Sequence, residues 1–262
     1  MPNHTVVSES EWIDGRKALL KKEKEFTRLR DGLSRQRQAL PWVRVEKKYL
    51  FDTTAGKKSL ADLFDGRHQL IVYHFMLGPG WEEGCPSCSY LMDHVEGMLP
   101  HLAARDVTFT AVSRASLGEI EAFRRRMGWC FNWASSNGTD FNFDYGVSFT
   151  PEQLKSGKVQ YNYAEQKAPP MQEFPGLSAF FKDESGQVFH TYSTYARGLD
   201  IIVGTYNYLD MAPLGRNEAG LKHTMSWVRH HDRYEQDYKV DPNAGYVPPK
   251  GAVCKHCCAE EK

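Results

Sequence analysis

The stretch that decides the reading runs from Leu70 to Asp93, LIVYHFMLGPGWEEGCPSCSYLMD. An apolar run gives way to glycines, a proline and two glutamates, and then to Cys85 and Cys88 with Pro86 and Ser87 between them. Leu70–Phe75 reads as a strand covered on both faces, because its apolar character is nearly unbroken rather than alternating. The cysteines fall where that strand passes into a helix. Pro86 suits a first helical turn, where its missing N–H costs no hydrogen bond. Three roles are open to such a pair: a redox couple, half of a metal site, or two buried thiols.

Downstream, Ser89–Ala104 reads as a helix with Leu91, Val95, Met98, Leu99 and Leu102 along one side. DVTFTAVS (106–113) is a second buried strand, and SLGEIEAFRRRMG (116–128) a second helix ending at Gly128. Strand–helix–strand–helix order implies a parallel βαβ unit with right-handed crossovers. NWASSNGTDFNFDYG (132–146) reads as a loop of turn formers, and residues 151–174 as an irregular insertion. GLSAFFKDESGQVFHTYSTY (176–195) is a strong hairpin signal around ESGQ, and a helix over Leu199–Leu209 follows it.

Upstream, Ser8 to about Leu40 is helical in pattern, with Trp12, Leu19, Phe26 and Leu33 every seven residues and Leu29 on the same face. Ser8 and Glu11 form a capping-box signature, and Pro41 closes the segment. The basic stretch Arg16–Lys48 reads as a solvated helix face, or as an arm for an acidic partner. In VRVEKKYLFDTTAGKKSLADLF (43–64), Val43, Val45, Tyr49 and Phe51 predict a hairpin around TTAGKK, then a short helix over Leu60–Phe64. The chain thus divides into a helical extension (1–41), an α/β domain (42–236) and a Pro- and Gly-rich, flexible tail (237–262) that ends near CKHCC.

The 262 residues suffice for one large domain with extensions. Lys and Arg total 33 and so do Asp and Glu, a balance that argues against a general nucleic-acid binder. The apolar run Leu70–Leu77 is far short of a membrane span, and the N-terminus has no basic start followed by an apolar stretch, so a cytoplasmic location is expected and no membrane partner. Six cysteines are too few for a disulfide scaffold in a chain of this length.

A C-x-x-C beside a βαβ pattern points to thioredoxin-like redox chemistry. Cys85 at the start of a helix meets unpaired N–H groups and the positive end of the dipole, which favour its thiolate. Cys88, one turn on, is placed to attack a mixed disulfide formed at Cys85. Cys85 is therefore the expected nucleophile and Cys88 the resolving thiol. Glu82 and Glu83 oppose a nearby thiolate, or one of them accepts the Cys88 proton.

LIVYHFM…GCPSC, FNFDYGV, GLSAFFKDESGQVFHTYSTYARGLD and NYLDMAPLGRNE closely resemble a bacterial family of thioredoxin-like proteins, domain-of-unknown-function family 899, over roughly Ser8–Arg233. The resemblance implies a thioredoxin-like α/β fold, a central mixed sheet flanked by helices, related to the thioredoxin and peroxiredoxin superfamily. It fixes no substrate. Glu82 stands where peroxiredoxins place Thr or Ser, which weakens a peroxidase reading. Gly84 stands where thioredoxins place an aromatic, and Trp81 lies four residues before Cys85. Pro175 is the candidate for the cis-proline that faces the cysteines in thioredoxin folds. If the hairpin abuts the pair, His190, Tyr192, Tyr195 and Arg197 line the pocket, with Arg197 stabilising the thiolate or an anionic substrate.

The rival is a copper or zinc site in which His74, His94 or His190 joins the two thiolates. A non-catalytic binding module on the same scaffold is a further rival, which retention of both cysteines argues against. The expectation is a disulfide-exchanging protein with no cofactor beyond its own redox-active disulfide, acting on an unspecified thiol or disulfide and served by an unspecified electron donor. A homodimer through the N-terminal helix is a further expectation. Cys254, His256, Cys257 and Cys258 are read as a dispensable end, or as a metal- or electron-carrying one. Cys130, between aromatics, is expected to be a buried thiol.

Overall fold

A computed structural model describes residues 4–241. The CKHCC tail lies outside the described residues. The chain falls into two units divided between Trp42 and Val43. The first contains one helix, α1 (Glu9–Gln38), opened by a capping box in which the Ser8 hydroxyl accepts from the Glu11 N–H and the Glu11 carboxylate accepts from the Ser8 N–H. None of its residues is buried, and Trp12, Phe26 and Leu29 are largely exposed.

The second unit is built on one mixed sheet. Its strands are β1 (Val43–Arg44), β2 (Leu50–Thr53), β3 (Gly56–Ser59), β4 (Gln69–His74), β5 (Val107–Ser113), β6 (Trp133–Ser135), β9 (Gly176–Lys182) and β10 (Val188–Tyr195), while β7 (Lys158–Tyr161) and β8 (Ala164–Lys167) form a separate hairpin. The spatial order is β1-β10-β9-β4-β5-β6-β2-β3. β4 runs parallel to β5 and antiparallel to β9, which pairs antiparallel with β10. A βαβ unit continued by a β-hairpin in the order β5-β4-β9-β10, with helices packed on the sheet, is a thioredoxin-like fold. The most apolar strands, β4 and β5, sit at its centre because only there are both faces covered.

Successive residues of β4 enter different cores. Tyr73 joins Phe75, Met76, Cys85, Cys88, Leu91, Phe109 and Ala111 on one face. Leu70 and Val72 join Phe51, Phe64, Val112, Phe141 and Phe180 on the other. A third, smaller cluster joins Val147, Phe149, Leu154, Val159, Tyr161 and Tyr195.

Several boundaries differ from the sequence reading. The helix expected over Ser89–Ala104 starts earlier and is broken: α2 (Pro86–Met92), a 3-10 turn (Glu96–Met98) and α3 (Leu99–Ala103). Pro100 has no N–H for a continuous ladder and occupies the first turn of α3 instead. α4 (Leu117–Arg126) agrees, capped by Ser116 and Glu119. The presumed loop 132–146 holds β6 and a helical turn, α5 (Phe141–Asp144). Residues 151–174 form α6 (Pro151–Lys155) and the β7–β8 hairpin rather than irregular chain. The hairpin around TTAGKK is confined to β2 and β3, whereas Val43 pairs with His190 at the far edge of the sheet. The helix after β10 is a 3-10 segment (Ala196–Ile202) followed by α7 (Gly204–Leu209). Cys130 is exposed, not buried, and its backbone N–H donates to the Glu96 carboxylate.

Candidate active site

The cysteine loop is held against the end of β4 by its backbone. The Phe75 N–H donates to Val112 at 2.9 Å, and the Cys85 N–H returns to the Met76 carbonyl at 3.0 Å. Gly84 makes this return possible: a Cβ there would collide with the Phe75 ring and come within 2.7 Å of Phe123. The Gly84 carbonyl accepts a 2.8 Å hydrogen bond from Nε2 of buried His230. Arg126 Nη2 faces the other ring nitrogen at 3.4 Å, which fixes His230 in its neutral form with the proton on Nε2.

Cys85 is the N-cap of α2 and Pro86 opens the helix. The Cys85 carbonyl accepts from the Ser89 N–H at 2.9 Å and from its hydroxyl at 3.0 Å. Cys88 lies one turn on, and both cysteines are in the thiol form and almost wholly buried, 4% and 2% exposed. Burial pushes the Cys88 thiol up well above its usual range, and the adjacent Cys85 adds to this. The Tyr73 hydroxyl and the Met76 N–H, both hydrogen-bonded to the Cys88 sulfur, work in the opposite direction. The buried Tyr73 is itself held protonated, first by burial and then by the two cysteines.

A cavity of about 260 Å³ lies over the pair. Its walls include Met76, Leu91, Met171, Phe174, Leu199 and Met225. Pro175 also lines it, as the resemblance implied, but no described peptide bond is cis, so the expected cis-proline is absent there. The Met171–Pro175 wall is anchored through Glu173, whose carboxylate accepts from Arg114 at 2.7 Å and from the Ser148 hydroxyl at 2.5 Å. Burial outweighs the attraction of Arg114 and pushes the Glu173 carboxyl up to about 7.

The other residues singled out from sequence are placed elsewhere. Trp81 is buried in the cysteine-side core, its indole against Gly78, and does not line the cavity. Glu82 is exposed at the surface of the loop. Glu83 is neutralised by Arg126 at 2.7 Å and Arg233 at 3.2 Å rather than set against a thiolate. His190 and Tyr195 lie on the opposite face of the sheet, His190 against Tyr145 and Phe180, and Tyr195 against Tyr161. Tyr192 shares the cysteine face by register, paired with Ala179 on β9, yet β9 separates it from β4 and it does not line the cavity. Arg197 has an 88% exposed side chain and pairs with Asp200 at 3.1 Å, outside the thiol cavity.

The histidines proposed as metal ligands do not converge on the thiols. His74 packs on the far face, stacked on Tyr145, and His94 accepts from the Thr205 N–H at 3.1 Å. Among the described residues no group of three His, Cys, Asp or Glu side chains is arranged to hold a metal ion. Sequence reasoning missed Tyr73, His230 and the walls supplied by Met171, Phe174, Leu199 and Met225. For Tyr73 a signal existed: alternation along β4 puts it and His74 on opposite faces, so one of the two had to meet the cysteine helix.

Fold and site together define a thioredoxin-fold protein with a buried dithiol at the end of its central strand. The chain belongs to the family described as bacterial protein of unknown function (DUF899), which it matches over residues 1–234. No curated protein matches it significantly. Among solved structures it is similar to a mutant of peroxiredoxin Q from Xanthomonas campestris (14% identity, 61% of this chain and 90% of the other, TM-score 0.38). It is also similar to the peroxidoxin BcpB of Mycobacterium tuberculosis (11%, 63% and 95%, TM-score 0.42). A third is the mitochondrial 2-Cys peroxiredoxin of Plasmodium falciparum (13%, 65% and 94%, TM-score 0.36). No described helix is long and apolar enough to cross a membrane.

Proposed function

We propose that the protein is a thiol–disulfide oxidoreductase working through Cys85 and Cys88. The observation that carries this reading is the hydrogen-bonded pair itself, with Cys85 at a helix N-cap, Cys88 one turn on, and a cavity opening onto both sulfurs. The Cys85 thiolate attacks one sulfur of a substrate disulfide; an S–S bond forms and the first substrate thiolate leaves. Cys88 gives up its proton and attacks Cys85 Sγ, expelling the second substrate thiolate. The two departing thiolates take up the two protons of the dithiol, so two electrons pass from the enzyme to the substrate. An external thiol reductant returns the enzyme to the dithiol. The high Cys88 pKa keeps that thiol in reserve until the mixed disulfide has formed, and Tyr73 holds its sulfur on the attacking side.

Redox titration with mass spectrometry tests this directly. The expected result is one reversible two-electron transition that removes two protons' mass, is lost in Cys85→Ser and Cys88→Ser, and leaves a trapped mixed disulfide at Cys85 in the latter. A chain in which Cys85 and Cys88 never pair would end the reading. The exposed apolar residues of α1 also support a homodimer, which a monomer mass in light scattering at micromolar concentration would remove.

A further inference from the structure

We propose that the substrate is a small, uncharged organic disulfide, an inference that rests on the dithiol reading above. Access decides against a protein disulfide. With the two cysteines 4% and 2% exposed, a folded partner cannot bring its own S–S bond in line with Cys85 without entering the cavity. At about 260 Å³ the cavity is at the small end of ligand pockets, which run to ~300–1,000 Å³. That suits a disulfide carrying a few carbons on each sulfur, not a polypeptide loop.

The walls set polarity. Met76, Leu91, Met171, Phe174, Leu199 and Met225 surround the thiols, and thioether side chains adapt to apolar groups of varied shape. Among the described residues the only charged side chain lining the cavity is Asp200, whose carboxylate is engaged by Arg197 and by Arg216, both at 3.1 Å. A substrate bearing carboxylates would lose its hydration against apolar walls and meet no cation inside.

The same lining favours a sulfur leaving group over an oxygen one. Reducing a hydroperoxide expels an alkoxide or hydroxide, which needs strong donors or a cation aimed at the leaving atom. A thiolate is a far weaker base and leaves without such help. Here the Tyr73 hydroxyl is committed to Cys88 and the Tyr206 hydroxyl donates to Glu218 at 2.9 Å, so the donors facing the cavity are neutral ones, Ser87 and the first turn of α2. The route in is a wider groove of about 780 Å³ that shares Pro175, Ala196, Asp200, Tyr206 and Met225 with the cavity. It is lined further out by Arg197 and Arg216, which pair with Asp200 and Asp210.

Stopped-flow oxidation of the reduced full-length chain, quenched for mass spectrometry, tests the assignment with five oxidants: diethyl disulfide, glutathione disulfide, insulin, cumene hydroperoxide and diamide. Diethyl disulfide is expected to outpace glutathione disulfide, insulin and the hydroperoxide by at least about tenfold each. Met225→Trp and Met171→Trp, which fill the cavity, are each expected to slow diethyl disulfide at least about tenfold while the Cys85–Cys88 transition in an equilibrium redox titration is kept. Insulin or glutathione disulfide reacting as fast as diethyl disulfide would overturn the substrate class, and a faster hydroperoxide would replace it with peroxide reduction. Failure of diamide to form the bond in the unmodified chain would instead sink the dithiol reading itself.

Discussion

Tyr73 and His74 are neighbours on one strand, and they show how differently the two faces of this sheet treat a polar side chain. Tyr73 points into a core that is interrupted by a cavity, and its hydroxyl binds a thiol that a small molecule can reach. His74 points into the opposite core and is fully buried there. Its Nε2 joins Ser178 (2.9 Å), Ser178 joins Ser193 (2.8 Å), and Ser193 joins Nε2 of His190 (2.7 Å), while His74 Nδ1 has no hydrogen-bond partner. Both faces carry titratable groups of the kinds found in active sites. Access separates them: Tyr73 borders a cavity where a ligand can meet the thiols, whereas the chain from His74 to His190 costs stability and borders none of that cavity.

The largest effect that would break this contrast lies on the His74 face. His74→Ala removes a fully buried ring and one partner of Ser178, and is expected to cost about 3 kcal/mol at pH 7. The rate at which the folded protein oxidises should stay within about twofold, since His74 touches neither thiol. A loss of rate larger than the loss of folded protein would place the serine–histidine chain in the mechanism. The cost should also shrink on acidification. Burial lowers the His74 pKa to about 3, so below pH 6.5 the unfolded chain takes up a proton that the folded one refuses. The native chain therefore loses stability as pH falls, the variant does not, and the gap narrows by about 2 kcal/mol between pH 6.5 and 5. Urea midpoints at the two pH values measure it.

Glu173, on the cysteine side, has the opposite sign. Its carboxyl is raised to about 7, so between pH 4.5 and 7 the folded chain keeps a proton that the unfolded one has released. Stability from this group is complete below pH 4.5 and is lost as pH rises through 7. Relative to the native chain, Glu173→Gln should gain on the order of 3 kcal/mol between pH 4.5 and 7.5, again read from urea midpoints. A constant difference would mean that the Arg114 ion pair keeps the carboxylate ionised throughout.

The features that local chemistry controls were legible in the sequence: the near-continuous apolar strand β4, the turn into a Pro-initiated helix, the capping box at Ser8, and the β9–β10 hairpin. Those that depend on sheet register were not. Strict alternation would put His190, Tyr192 and Thr194 on one face. A register shift between His190 and Tyr192 breaks the alternation, so that His190, Ser193 and Tyr195 point away from the thiols while Tyr192 does not. The β7–β8 hairpin was hidden for a related reason. Its turn uses Asn162 and Tyr163, both with positive φ, where Asn-Gly would have announced it. The cavity walls come from residues 171–175, 196–206 and 225, brought to the cysteines by tertiary packing that no local pattern encodes.

Tyr73→Phe sharpens the open face with a smaller effect. Losing the hydroxyl removes a donor that favours the Cys88 thiolate, so that thiol should become still harder to ionise. Formation of the mixed disulfide at Cys85 should continue, while its resolution slows by up to about tenfold and its pH profile moves upward. A slower step with an unmoved profile would show that Tyr73 only fills space.

Arg197→Ala carries the smallest expected effect and bears most directly on where the open face ends. The sequence suggests a cation poised over the thiolate. The structure puts the guanidinium in solvent, 88% exposed, in a single i,i+3 pair with Asp200, a carboxylate that Arg216 also holds at 3.1 Å. An exposed pair of this kind contributes at most about 1 kcal/mol, and the Asp200 charge keeps its second partner when Arg197 is removed. Oxidation by diethyl disulfide should therefore change by less than about twofold, and stability by less than about 0.5 kcal/mol. A tenfold loss of rate with unchanged stability would show that Arg197, which lines the entry groove, acts on the passing substrate. It would also predict that anionic disulfides gain most from the arginine, which repeating the glutathione disulfide measurement on the variant would show as a larger loss for that substrate than for the uncharged one.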